Sequence, residues 1–244
     1  MVLTKKNVIT TIYISLIVQI VTSLYSYNGI YYDIEQEDKI LLDVLKLELF
    51  VQFVETFFYI WVIHGLRNFN EMTKRRYIDW AITTPTMLIS TIIFLKYQEY
   101  KEIKRDKEIH FLDFLMENTE NIQKIVIYNG LMLLFGYLGE SQIINKEISV
   151  AIGFVFFYLS FKVIYEEYAI HSELGKKLFK VLVVLWSLYG IAAYLEHIPK
   201  NISYNVLDII AKNFYGLYIF FKIRDLAIVK HKKENQGDMN VVSE

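Results

Sequence analysis

A lysine in an apolar run is the residue with the most chemistry to offer. The stretch NISYNVLDIIAKNFYGLYIFF places Lys212 near the middle of a hydrophobic segment, with Asp208 four residues earlier. At that spacing the two share one helical face, which Asn201 and Asn205 continue. A second apolar segment opens with RRYIDWAITTP and carries Arg76 and Asp79 one turn apart. Charged groups inside a membrane span are rare and are usually paired in the interior of a bundle. Two readings of Lys212 stay open from these residues: a structural ion pair with the aspartates, or a desolvated amine of the kind that condenses with an aldehyde to a Schiff base.

The elements that must position these residues follow from composition. The chain has 244 residues, 54% of them hydrophobic, and no cysteine, so disulfides and thiolate metal sites are excluded. Its mean hydropathy is +0.29. The formal net charge of −1 selects no partner. Apolar stretches at 6–27, 41–65, 74–97, 122–141, 147–168, 175–197 and 202–228 are each long enough to cross a bilayer as helix, which takes about 20 residues. The expectation is an all-α bundle of seven transmembrane helices in a multi-pass membrane protein, one domain over 1–229 and a disordered cytoplasmic tail over 230–244. Residues 8–23 read as a first span rather than a cleaved signal, because no small-residue cleavage site follows. Lys101, Lys104, Arg105, Lys107, Lys176, Lys177, Lys222 and Lys230 lie in connections of one side, against Lys5, Lys6, Arg67, Lys74, Arg75, Lys146 and Lys200 on the other. That bias places the N-terminus outside. The segment IHFLDFL (109–115) reads either as a surface helix or as an extension of the third span.

The motifs resemble those of the microbial (type 1) rhodopsins. Arg76, Tyr77, Asp79, Trp80, Thr83, Thr84 and Pro85 are similar to that family's R-Y-x-D-W-x-x-T-T-P signature, and Asp208 with Lys212 to its D-x-x-x-K. Asn129, Gly130, Met132 and Gly136 are similar to its fourth-helix pattern, and Trp186 with Tyr189 to its sixth. The resemblance implies a bundle around buried all-trans retinal, held on Lys212 as a protonated Schiff base. It implies Asp79 and Asp208 as counterions, with Arg76 and Thr83 in their complex and Thr83 holding Asp79. It implies a pocket of Trp80, Thr84, Met87, Asn129, Gly130, Met132, Gly136, Phe157, Trp186 and Tyr189, with Tyr189 bonded to Asp208.

Departures from the proton-pump pattern turn the reading toward a channel. Eleven residues after Asp79, where pumps carry a proton-donating carboxylate, stands Ser90. Gly190 replaces an expected proline and Ala193 an expected aromatic. In the second span Glu48, Gln52, Glu55 and Tyr59 form one face, and in the first Thr11, Ser15, Gln19 and Thr22 do. With Asn201 and Asn205 these make three polar faces that can converge on one path, and carboxylates on a path favour cations. The pattern looks most like the viral group of rhodopsins. The expected function is a light-gated channel for monovalent cations, with Ser15, Glu48 and Asn205 as its constriction and Gln52, Glu55 and Asn201 along the path. Calcium passage or block is left open. The alternatives are an outward proton pump, with Glu48 as donor near Ser90, and a photosensor signalling through a partner. No nucleophile–base set suggests an enzyme. His64, His110, His171, His197 and His231 are scattered, so no metal site is expected, and nothing suggests nucleic acid. The family's habits make a homo-oligomer the expectation. The host membrane is not fixed by the sequence.

Overall fold

In the computed structural model, residues 3–65, 71–104 and 107–241 are described. Arg67 and Arg105 of the charge bias, and 242–244 of the tail, lie outside them. The elements are helices: α1 (Lys5–Tyr27), α2 (Ile40–His64), α3 (Met72–Glu102), α4 (Phe111–Glu117), α5 (Thr119–Glu140), α6 (Lys146–Ile164), α7 (Glu173–Ala193), α8 (His197–Asp208) and α9 (Phe214–Val241). A wide π-turn, Tyr165–Ala169, extends α6, and a second, Ile209–Asn213, joins α8 to α9. Seven spans result, the seventh being α8, its π-turn and α9. Among the described residues, four helical stretches are by length and composition apolar enough to cross a membrane: Lys5–Tyr31, Met72–Glu102, Thr119–Glu140 and Lys146–Ala169.

Local sequence sets the ends. Asn145 caps α6 by accepting from the Ile148 N–H (3.1 Å), and Ser172 caps α7 by accepting from Gly175 (2.9 Å). α2 packs along α3, α5 along α6, and α1 against α2 and α8. The main core holds Val44, Leu88, Ile92, Phe94, Phe161 and Ile219, which fill the half of the bundle nearest the 28–39 connection.

That connection is an acidic strap. Lys101 of α3 reaches Asp38 (2.6 Å) and Glu37 (3.6 Å), and the Tyr97 hydroxyl donates to Asp38 (2.7 Å). Lys230 bonds Asp33 (2.6 Å) and Lys233 lies 3.8 Å from Glu35. The hydrogen bond between Lys230 and Asp33 raises the pKa of the lysine and lowers that of the carboxyl. These pairs explain a difference from expectation. The tail expected to be disordered from Lys230 continues α9 as helix to Val241. Lys230, Lys232, Lys233 and Glu234 are good helix formers, and the strap holds that first turn.

α4 is a separate short helix rather than a continuation of α3, which stops at Glu102. Phe114 is buried against Tyr168, while Leu112 and Met116 are exposed.

Candidate functional site

Four elements converge on Lys212. Its Nζ lies 2.9 Å from Asp79 Oδ2 of α3, 3.3 Å from Glu55 Oε1 of α2 and 3.5 Å from Asp208 Oδ1 of α8. All four side chains are at most 3% exposed. Arg76 is fully buried one turn before Asp79. It donates to Asp208 Oδ2 (3.0 Å), to Asn201 Oδ1 (3.3 Å) and to Asn205 Oδ1. Tyr59 and Tyr189 each donate to Asp208, both at 2.9 Å. Two cations thus face three carboxyl groups in a region without bulk water, where each contact is strong and each charge needs its partners.

Glu55 was expected along an ion path; the structure places it in the Lys212 cluster. It sits one turn before Tyr59, and that turn of α2 faces the π-turn carrying Lys212. Thr83 also differs from expectation. Its hydroxyl donates to the main-chain carbonyl of Asp79 (3.0 Å), not to the carboxylate. The i−4 carbonyl is the acceptor a helical threonine reaches most easily. Asp79 Oδ1 makes no hydrogen bond.

A cavity extends from Lys212 between α3, α5, α6 and α7. Trp80, Thr84, Met87, Met132, Gly136, Phe157, Trp186 and Tyr189 line it, together with Tyr77 of the third-helix signature and with Leu133, Phe154 and Tyr204, which the motifs did not single out. Gly130 does not line it. It is exposed, and a Cβ there would meet nothing within 4 Å. The inward face of α5 runs through Asn129, Met132, Leu133 and Gly136, at i, i+3, i+4 and i+7, and position 130 is turned away from it. Asn129 stands beside the cavity rather than on its wall. Gly190 and Ala193 both line the cavity. The Phe154 ring fills the space a side chain at 190 would need, with its Cε2 2.9 Å from where a Cβ would stand. A slot walled by two tryptophans, ending on a buried amine with carboxylates around it, fits a long polyene aldehyde.

Asn129 donates to Thr84 Oγ1 (2.7 Å), which itself donates to Trp80 O (2.7 Å) and so ties α5 to α3. Thr84→Val leaves the Asn129 amide without an acceptor. The expected cost is about 1–3 kcal/mol, a fall of several degrees in melting temperature, and the Thr84→Val/Asn129→Leu double variant recovers part of it.

The polar faces of α1 and α2 are bonded at several levels. Ser15 donates to Asn205 O (3.1 Å), and Asn205 donates to Thr11 (2.7 Å). Gln19 donates to Gln52 O (3.0 Å), and Ser23 lies 2.8 Å from the Gln52 amide. Asn201 donates to Thr73 (3.0 Å). Ser90 bonds Glu48 Oε1. The expected constriction of Ser15, Glu48 and Asn205 therefore does not form at one level. Asn205 meets Tyr59, whereas Glu48 stands eleven residues away on α2, about 16 Å along its axis.

Asn213 is the residue sequence reasoning missed. It donates to Gln19 Oε1 (2.7 Å) and Thr22 Oγ1 (2.8 Å). It shares the π-turn with Lys212, and both are buried: Lys212 meets α2, α3 and α8, and Asn213 meets α1.

The bacteriorhodopsin-like family model matches residues 10–226. No curated protein matches. Among solved structures, the viral rhodopsin OLPVRII superposes with a TM-score of 0.74 at 26% identity, over 90% of this chain and 98% of that one. Halorhodopsin, a light-driven chloride pump, gives 0.65 at 15% identity over 93% and 98%. The light-driven proton pump LR (Mac) from Leptosphaeria maculans gives 0.66 at 14% over 92% and 98%. At those lower identities the likeness shows the shared fold, which serves more than one ion. With the family matched from α1 into α9, the chain belongs to the bacteriorhodopsin-like microbial rhodopsins, multi-pass membrane proteins whose members bind retinal covalently through a lysine.

Proposed function

We propose that this rhodopsin is a light-gated channel for monovalent cations. The observation that carries the reading is the buried polar line between α1, α2 and the seventh span. It runs from Asn201 and Asn205 through Ser15, Gln19 and Gln52 to Glu48. The buried acids along and beside it, Glu48, Glu55, Asp79 and Asp208, outnumber the buried cations Arg76 and Lys212, which favours cations over anions.

Lys212 would hold retinal, which supplies light absorption and a change of shape. Asp79, Asp208 and Glu55 would keep positive charge at Nζ favourable, and Asp79, the nearest, would be first to take a proton released there. Arg76 would balance the acids on the side of Asn201. Trp80 and Trp186 would confine the polyene and exclude water. Any displacement of Lys212 moves its π-turn, and Asn213 then pulls on Gln19 and Thr22. The interhelical bonds of α1 are the barrier that such a pull must open.

A second reading, an outward proton pump, is favoured by one contact. Ser90 holds the donor position of pumps, and the structure brings the carboxyl of Glu48 to it from α2.

Photocurrent against voltage, in cells given all-trans retinal, separates the two. A current that reverses near the cation equilibrium potential and shifts on sodium replacement is expected. Outward current at every voltage establishes the pump instead, and a spectral cycle without current a sensor. In the channel case Glu48→Gln lowers the sodium current roughly tenfold, a loss of about 1.4 kcal/mol.

A further inference from the structure

The short helix α4 has an apolar side that is only half covered by the protein. At about 100° per residue, Phe114, Phe111, Leu115, Leu112 and Met116 span about 200° of its surface, and Asp113 with Glu117 take the opposite side. One edge of the apolar arc belongs to the bundle. Phe114 is 3% exposed, with its ring 6.2 Å from that of Tyr168, and Phe111 and Leu115 pack on the main core. The other edge is bare: Leu112 and Met116 are each 68% exposed.

Helix lengths fix the depth at which that edge lies. α3, with 31 residues, is about 46 Å long and outruns a hydrocarbon core of about 30 Å. α5 has 22 residues, about 33 Å, so its two ends lie close to the two faces of that core. At its far end Lys200 bonds Glu140 (2.7 Å), a charged pair on the opposite side from the strap. At its near end only Asn118 separates Thr119 from α4. A second ruler agrees. Tyr168 stands about 33 Å along α6 and its π-turn from Lys146, and its hydroxyl donates to Asn118 Oδ1 (2.9 Å). The chain that leaves the bilayer as α3 has therefore returned to its surface by α4. It does so on the side of the acidic strap, where Gln36 donates to Glu108 (2.7 Å).

We infer that α4 is an interfacial membrane helix, with Leu112 and Met116 seated at the boundary of headgroups and acyl chains in the leaflet on the strap side. Helices of this kind lie in the plane of the interface with the apolar side down. Leu115, in the middle of the apolar arc, is opposite Asp113 and Glu117, so the orientation that wets the two acids turns the arc to lipid. The polar side of α4 carries acids rather than the lysines that draw anionic lipid, so the contact is apolar and not electrostatic. It follows from embedding in a bilayer and is independent of whether the protein conducts, pumps or signals.

The experiment uses the absence of cysteine from the chain. Leu112→Cys and Asp113→Cys each supply a single thiol for a nitroxide label. Both proteins are reconstituted with retinal in phosphatidylcholine vesicles. Electron spin resonance then reads collisions of each label with oxygen, which concentrates among acyl chains, and with a water-soluble nickel chelate. The ratio of oxygen to nickel collisions is expected to be several-fold higher at 112 than at 113. Frequent nickel collisions at both positions place α4 in water and overturn the assignment. Few collisions with either reagent at 112 also overturn it, because a protein surface, such as a second copy of the chain, then covers that edge. Where Leu112→Cys does not fold, judged by the loss of retinal absorbance, Met116→Cys is read against Glu117→Cys with the same expectations.

Discussion

Lys212→Ala yields a colourless protein with no light-induced current. The amine is the one lysine on the wall of the cavity, so no other side chain there can take its place. The loss reaches beyond the chromophore. Asp79, Glu55 and Asp208 surround Nζ within 3.5 Å, and with the lysine gone three buried carboxyl groups have Arg76 as their nearest cation. Removing one partner of a buried pair costs about 3–5 kcal/mol, because the other charge stays in a low dielectric. The absorption spectrum after addition of all-trans retinal checks the first effect, and melting of the apoprotein beside wild-type apoprotein checks the second. A coloured Lys212→Ala protein would remove the assignment of Lys212 altogether.

Arg76→Ala has the second largest effect, and on folding it matches the first. The guanidinium is fully buried and bonds three side chains of α8, Asp208, Asn205 and Asn201. Phe58 and Tyr204 lie 5.4 and 5.6 Å from its centre. Alanine leaves a cavity, two asparagine carbonyls without this donor, and Asp208 with only Lys212 as its cation. About 3–5 kcal/mol is expected to be lost from a total of the order of 5–15, so yield and melting temperature fall together. Arg76→Lys keeps the charge but not the fork of donors, and recovers only part of the loss. Melting of the three proteins in one detergent checks the order wild type, Arg76→Lys, Arg76→Ala.

Much of this architecture is legible in the chain because a bilayer imposes simple rules. Apolar length marks a span, and a charge inside a span marks a place where helices face each other. Lys212, Asp79, Asp208 and Arg76 could be found that way before any coordinate. What stayed hidden depends on angles rather than on identities. Asn213 looked like a bystander because its spacing sets it apart from nothing, and its partners Gln19 and Thr22 on α1 come to it only through the fold. Glu48 and Glu55 looked alike on one stripe of α2. Seven residues of rise separate them by about 10 Å, enough to give one to Ser90 and the other to Lys212. Gly130 and Thr83 were carried by motif position, and their orientation followed local helix geometry instead. The helical course of 230–241 was hidden because its charges read as solvation until the acidic residues of the strap faced them.

The polar seam of α1 has a consequence for how the protein is made. Ser15 bonds a residue 190 positions later, and Gln19 and Thr22 are held by Asn213, 194 and 191 positions later. At roughly 5–20 residues per second of synthesis, the first helix waits about 10–40 s in the membrane before the last one reaches it. During that interval its serine, glutamine and threonine side chains must be shielded by the insertion machinery, by Gln52 of the second helix, or by water. Of the seven spans the one made first is sealed last, so a chain shortened before the seventh span exposes a hydrophilic stripe to quality control.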